Sequence, residues 1–341
     1  MKRFIQALAM LALGAALATG AAAQKPEKTK IIIAVGGKNL FYYLPLSVAE
    51  RNGYFKDEGL DVEIPDFAGG AKALQALVGG SADFVSGAYE HTINMAAKKQ
   101  PIKAVVLQLK YSAIELVMAK DRAAKYKGGR DLKGLKIGVT APGSSTNMFV
   151  NTLLAKDGLK PTDVSIVGVG TTQGAYAALD KGEIDALANL DPVVTQLEST
   201  GKFVSVVDTR TEKGMQEVYG GDYMAAVIYA NADFIAKYPN TTQAVVNAMV
   251  RADRWIAKST PQQIVDLMPA EYKAGNPSLY KEALLKNMIG YSEDGMMSLK
   301  AAENVYKVLN AFEPSVMKAG KMDLTATFDN SFVKKADAKY R

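Results

Sequence analysis

The sequence predicts an α/β protein made of two similar lobes. Short β-branched runs alternate with helices of roughly ten residues. The alternation runs through once, breaks at a charged stretch, and begins again. Two apolar segments, Ile114–Ala119 and Tyr223–Tyr229, stand at the breaks and read as crossing strands that join the lobes. Strands separated by helices pair in parallel through right-handed crossovers, so each lobe is expected to be a mostly parallel sheet flanked by helices. The expected division is lobe 1 over 24–112, lobe 2 over 113–222, and a mostly helical return to lobe 1 over 223–341.

The elements follow in order. Ile31–Val35 is a β-branched strand, stopped by Gly36-Gly37-Lys38-Asn39 and followed by Leu40-Phe41-Tyr42-Tyr43. Aromatics there are either core or ligand contacts, because parallel sheets hold ligands at the carboxyl ends of their strands. A helix over 45–51 ends at Asn52-Gly53, a common helix stop. Val62–Ile64 is the next strand. Gly69-Gly70 opens a helix to Val78, Phe84–Ser86 is a strand leading through Ala88, Tyr89, Glu90 and His91 into a helix, and Ile102–Leu109 closes the first set. The second set comprises strands Leu135–Val139, Val164–Val169, Ala186–Ala188 and Phe203–Val207, with helices over 146–156, 174–180 and 192–199 between them. Beyond Tyr229 the pattern is helical. Asn240 with Gln243, and Thr260-Pro261 with Gln263, read as capping boxes. Val245, Met249, Ala252 and Ile256 mark an apolar helix face, as do Leu299, Ala302, Val305, Tyr306 and Leu309. Trp255 belongs with the core.

Composition removes whole classes of function. The chain has no cysteine and a single histidine, His91. Disulfides, thiolate chemistry and cysteine-ligated metals are therefore excluded, and no metal site or cofactor is expected. Residues 1–23 read as a secretory signal peptide: Lys2 and Arg3, an apolar run from Phe4 too short to span a bilayer, then Ala21-Ala22-Ala23 at the cleavage position. Removing them leaves 39 basic against 35 acidic side chains, dispersed rather than clustered. Nucleic-acid binding would require a basic stripe with interleaved aromatics, and none is present. No second long apolar run exists, so no membrane span is expected.

The sharpest local chemistry lies in LKIGVTAPGSSTNMFVNTLL, Leu135–Leu154. A strand stops at Ala141-Pro142-Gly143, and Ser144, Ser145 and Thr146 stand where helical spacing begins. First-turn amides lack intrahelical acceptors and carry partial positive charge, so they and the hydroxyls could seat an anionic or acceptor-rich ligand. The plainer alternative is that Ser144 or Ser145 caps the helix. Gly168-Val169-Gly170-Thr171-Thr172-Gln173-Gly174 follows a strand, with Asp191 about twenty residues on, yet Gln173 occupies the third glycine position of a dinucleotide fingerprint. The stretch 142–147 has no lysine before its hydroxyls, against a phosphate loop. His91 reads as structural, and Asp191-Pro192 reads as a helix start that could also bring Asn189 and Asp191 to a cleft.

With these pieces in order, the chain resembles the periplasmic substrate-binding proteins of ABC importers for aliphatic sulfonates, taurine and nitrate. The matching stretches are GYFKDEGLDVEI (Gly53–Ile64), GGAKALQALVGGSADF (Gly69–Phe84), DLKGLKIGVTAPGSST (Asp131–Thr146) and AALDKGEIDALANLDP (Ala177–Pro192). The resemblance implies the type II periplasmic-binding-protein fold, with the ligand held between two lobes joined by two crossing strands. It also implies ligand contacts from Asn39, Phe41, Gly70, Ala88, Tyr89 and Glu90 on one side, and from Ser144, Ser145, Thr146, Thr171, Asn189 and Asp191 on the other. Two positions depart from the sulfonate pattern: Leu190 stands where those binders have an aromatic, and Glu90 brings a carboxylate that a bare anion would avoid. A ligand with an acceptor end and a donor or apolar end follows.

The expected function is capture of a small organic anion or zwitterion in the periplasm, without catalysis, and delivery to an ABC permease with its cytoplasmic ATPase. Enzymes of thiamine-pyrimidine synthesis and some of the menaquinone pathway resemble this fold and form the alternative class. A ligand-presenting sensor is a third.

Overall fold

Of the sequence, residues 25–340 are described by the computed structural model; the expected signal peptide lies outside the described residues. The strands are β1 (Lys30–Val35), β2 (Asp61–Glu63), β3 (Phe84–Ala88), β4 (Ile102–Leu109), β5 (Glu115–Ala119), β6 (Lys136–Val139), β7 (Ser165–Gly168), β8 (Ala186–Asn189), β9 (Phe203–Asp208) and β10 (Ala226–Asn231). They form two five-stranded sheets, ordered β2-β1-β3-β10-β4 and β7-β6-β8-β5-β9. The topologies are equivalent. In each, the first strand of the set pairs in parallel with its two successors, as in Ile33 beside Phe84 and Ile137 beside Ala186. In each, the fourth position is taken by an antiparallel strand that arrives from the other lobe: β10 pairs antiparallel with β3 and β4, and β5 with β8 and β9.

The apolar segments Ile114–Ala119 and Tyr223–Tyr229 are therefore mostly the arriving strands themselves. The crossings lie just before them, in 110–114 and 220–225. Ala113, at φ 53°, marks the first turn between lobes, and Gly220, at φ 76°, marks the second. Short linkers of this kind are where a two-lobed protein bends.

Why strands form here is legible in their burial. Ile31, Ile33, Val35, Phe84, Val85 and Val105 are all buried. Strands covered by helices on both faces need apolar side chains in near-continuous runs. The edge strand β7 is an exception, with Val167 exposed. Helices begin within a residue or two of the expected places: Gly70–Val78, Ser145–Lys156, Gln173–Asp180 and Val193–Ser199. The Thr260/Gln263 capping box forms. The Asn240/Gln243 box does not, because the helix Pro239–Lys258 starts two residues earlier, at its proline, with Tyr238 in the cap position. Glu27 takes the amides of Asn240 and Thr241, while Gln243 turns to Asn247 and the Phe332 carbonyl. Trp255 is half-buried against the core. The charged side chains between Lys120 and Arg130 are exposed, as a solvated face would be.

Candidate functional site

The carboxyl ends of β1, β2 and β6 deliver three turns to the space between the sheets, and glycine lets them meet. A side chain on Gly36 would lie 2.2 Å from the Gly69 carbonyl carbon, so that turn packs backbone on backbone. A side chain on Gly69 would lie 2.9 Å from the Ala141 Cβ of the other lobe. At this point the lobes are shut on one another. The Ala71 amide, in the first turn of the helix Gly70–Val78, donates to Ser144 Oγ across the gap at 2.9 Å. His91 Nε2 meets the Gly143 carbonyl at 3.3 Å, and the Phe41 amide donates to the Asp191 carbonyl at 3.2 Å.

His91 can be assigned a tautomer. The Gly143 carbonyl only accepts, so Nε2 carries the proton, and Nδ1 accepts from the Tyr229 hydroxyl at 3.0 Å. Burial pushes its pKa down to about 4, and the neutral ring persists at ordinary pH.

The expected site residues divide into two groups. Gly70, Glu90, Ser144 and Ser145 gather where the lobes close, and Thr171 packs its methyl against Gly37 of the facing lobe, within 2.7 Å of where a side chain would begin. Asn39 is half-buried in the turn after β1, and Ala88 ends β3 beneath Glu90 in sequence. The others are engaged within the scaffold. Phe41 packs its ring on Tyr280 at 4.6 Å and accepts the Tyr291 hydroxyl at its carbonyl. The Tyr89 hydroxyl bonds Thr327 at 2.5 Å. Thr146 turns its hydroxyl into its own lobe, onto the Thr140 amide and hydroxyl. Asn189 holds the Leu190 amide and the Gly170 carbonyl.

Pro192, not Asp191, holds the N-cap position of the helix Val193–Ser199, because the helix starts one residue after the proline; Asp191 Oδ1 still accepts from the Thr195 amide in its first turn, and Oδ2 has a larger task. It accepts from Arg210 and from Asn287 of the helical return, each at 2.8 Å. Arg210 also pairs with buried Glu115 at 2.7 Å and with Asp208 at 2.8 Å. Burial works against the guanidinium charge, and these three carboxylates more than reverse it, raising the Arg210 pKa. Lys286, beside Asn287, reaches Glu198 of the second lobe at 3.3 Å. Among these contacts, only Asp191's bond to the start of the following helix was readable from neighbouring residues.

Sequence reasoning missed the surroundings of Glu90. Its carboxyl is buried, with Oε1 accepting from the Tyr223 hydroxyl at 3.2 Å and Oε2 without a protein partner. Burial pushes its pKa up to about 7, against a lesser opposing pull from its own backbone amide and Tyr223. Burial also raises the phenols of Tyr42, Tyr219 and Tyr223, and the Glu90 charge reinforces each shift. Tyr219 and Tyr223 stack at 4.3 Å, and the Tyr219 hydroxyl bonds Ser112 at 3.0 Å. The Tyr42 hydroxyl is buried beside the Ser145 hydroxyl of the other lobe. One helical turn beyond Glu90, Asn94 donates to the Met148 sulfur of the other lobe at 3.8 Å and leaves Oδ1 unpartnered. Glu90 and Asn94, four residues apart, share a helix face, and Ser145 and Met148, three apart, share another. The arrangement is a tyrosine-walled polar centre closed from both sides. Among the described residues, no group of three or more His, Cys, Asp or Glu could hold a metal ion, and no helix is long and apolar enough to cross a membrane.

Comparison with known proteins agrees with this architecture. A solved structure from Bordetella bronchiseptica RB50 is 52% identical, covers 93% of this chain and 99% of its own, and superposes with a TM-score of 0.89. The alkanesulfonate-binding protein SsuA of Xanthomonas axonopodis pv. citri, solved bound to MOPS, is 16% identical over 89% of this chain and 99% of its own, with a TM-score of 0.69; that likeness is one of fold. The 4-amino-5-hydroxymethyl-2-methylpyrimidine phosphate synthase of Schizosaccharomyces pombe is 24% identical over 259 residues, 74% of this chain and 72% of its own. The two-sheet architecture is the periplasmic-binding-protein fold. The family model described as NMT1/THI5 like matches residues 40–264, which takes in nine of the ten strands, all but β1, and this chain belongs to that family.

Proposed function

We propose that the chain is the periplasmic solute-binding component of an ABC importer, which captures a small organic anion or zwitterion between its lobes and hands it to a membrane permease with its cytoplasmic ATPase. It carries out no chemistry on its guest in this reading and uses no cofactor. The observation that supports it most is closure over a polar centre: hydrogen bonds join Ala71 to Ser144 and His91 to Gly143 across the lobes, while Glu90 and Asn94 keep unpartnered polar atoms beneath. A guest touching both lobes favours the closed form by its differential contacts, and hinge bending at 110–114 and 220–225 admits and releases it. Ser145, beside the first-turn amides of its helix, suits an acceptor end of the guest. Charge-assisted hydrogen bonds contribute ~1.5–3 kcal/mol each, so a few of them with aromatic contact reach the ~8 kcal/mol of micromolar binding.

The pyrimidine synthase relatives favour a second reading, an enzyme on the same scaffold. Both are tested by one experiment. Mature protein is screened by thermal shift against sulfonates, taurine, nitrate, aromatic carboxylates and pyrimidines, hits are titrated by calorimetry, and the recovered ligand is weighed by mass spectrometry. Stoichiometric binding with the ligand returned unchanged supports capture. A ligand returned with altered mass supports the enzyme.

A further inference from the structure

We infer that the guest presents N–H donors to the buried end of this site, as an ammonium, an amidinium or an amino-substituted nitrogen heterocycle, held by Glu90 together with Tyr42 and Asn94. The inference rests on the capture reading and narrows it to a ligand class.

The argument is a census of hydrogen-bonding capacity. Glu90 Oε2 and Asn94 Oδ1 are buried oxygens without partners. One N–H of the Asn94 amide is directed to the Met148 sulfur, and its unpartnered Oδ1 is the atom left to be satisfied by acceptance. The Tyr42 hydroxyl, beside Ser145, can accept or donate. The two unpartnered oxygens, Glu90 Oε2 and Asn94 Oδ1, are therefore both acceptor atoms, and a bare oxyanion placed against them would face carboxyl and carbonyl oxygens. Charge tells the same story. Among the described residues, Glu90 forms no ion pair with lysine or arginine, and its single hydrogen bond comes from the neutral Tyr223 phenol. A desolvated carboxylate without a counter-charge is costly, and most such groups in folded proteins are paired. A cationic or N–H-rich guest provides the pairing. The walls agree with it: tyrosine faces attract cations, and Tyr42, Tyr219 and Tyr223 all lie near enough to feel the Glu90 charge. A carboxyl held at about pKa 7 by burial is also the expected resting state of a group whose counter-charge arrives with the ligand.

Matched probe pairs test this directly: taurine against isethionate, benzamidine against benzoate, and 4-aminopyrimidine against pyrimidine, each titrated into mature protein at pH 7.5. The donor-bearing member of at least one pair should bind tenfold or more tightly than its partner. Glu90→Gln should erase that preference, and Tyr42→Phe, which removes only a hydroxyl, should reduce it by about threefold to tenfold. Equal or better binding of the donor-free member, retention of the preference in Glu90→Gln, or no binding by any donor-bearing probe overturns the inference. If nitrate or isethionate binds stoichiometrically in that case, capture stands and only the ligand class falls. If nothing in the wider screen binds, both fall.

Discussion

Gly69→Ala should weaken ligand binding without unfolding the protein. Gly69 has an extended backbone, with φ 170° and ψ 163°, which alanine adopts freely. The added methyl would sit 2.9 Å from Ala141 Cβ, 3.0 Å from the Ala141 nitrogen and 3.1 Å from Ser144 Oγ. Carbon atoms rest at about 3.5–4.0 Å, so the two surfaces must separate by roughly half to one ångström. Neither surface yields by itself, since two of the three near atoms belong to the Ala141 turn at the end of β6. Parting the lobes is the available relaxation. That lengthens the Ala71–Ser144 and His91–Gly143 hydrogen bonds, now 2.9 and 3.3 Å. At about 0.5–1.5 kcal/mol each, the closed form loses about 1–3 kcal/mol, or about 5- to 150-fold in affinity. Calorimetry with a ligand from the screen measures the loss. Small-angle scattering of the liganded variant should show a larger radius of gyration, and thermal melts without ligand should stay close to those of the parent. Parental affinity with a parental radius would refute the claim that these turns form the closing surface.

Three further outcomes follow from other parts of the molecule. Arg210→Gln leaves Glu115 and Asp191 buried without their counter-charge, and urea unfolding should show a loss of about 3–5 kcal/mol. Asp253 is buried with both carboxyl oxygens unpartnered, and burial, with Asp294 nearby, holds its pKa well above the ordinary value. The folded state thus keeps a proton that the unfolded state releases above about pH 4, and stability falls as pH rises towards the folded pKa; Asp253→Asn should be the more stable protein in urea at pH 8, by a margin that shrinks towards pH 4. His91 is neutral in the closed form down to about pH 4, whereas in an opened cleft it regains its ordinary value near 6.5. Stability of closure is then present above 6.5 and lost as pH falls, about tenfold in affinity by pH 5.5. In His91→Gln, which keeps an amide donor for Gly143, this part of the acid loss should vanish.

What could be read from residues alone was whatever a local period or a local turn encodes. The strand–helix alternation, the glycine pairs Gly36-Gly37 and Gly69-Gly70, and the hydroxyl run at Ser144 all announce themselves within a few residues, and each is found where a strand ends at the closing surface. Direction around a helix was harder. Ser145 and Thr146 look interchangeable in sequence, yet about 100° of helical rotation separates them: one lies beside Tyr42 and the other is turned to Thr140. Partnerships across the chain left no local trace. Tyr223 meets Glu90 from 133 residues away, and Arg210 meets Glu115 through strands β5 and β9, paired only in the folded sheet. The same division explains why Glu90 was noticed but not understood. Its oddity, a carboxylate at the mouth of a strand in a cleft expected to hold an anion, is a local fact. Its meaning depends on what surrounds it in three dimensions, where Tyr219 and Tyr223 at the second crossing and Tyr42 after β1 stand around it in place of a counter-charge. A carboxylate so placed repels a bare anion and attracts a donor, and that is the physical basis of the N–H-bearing guest inferred above.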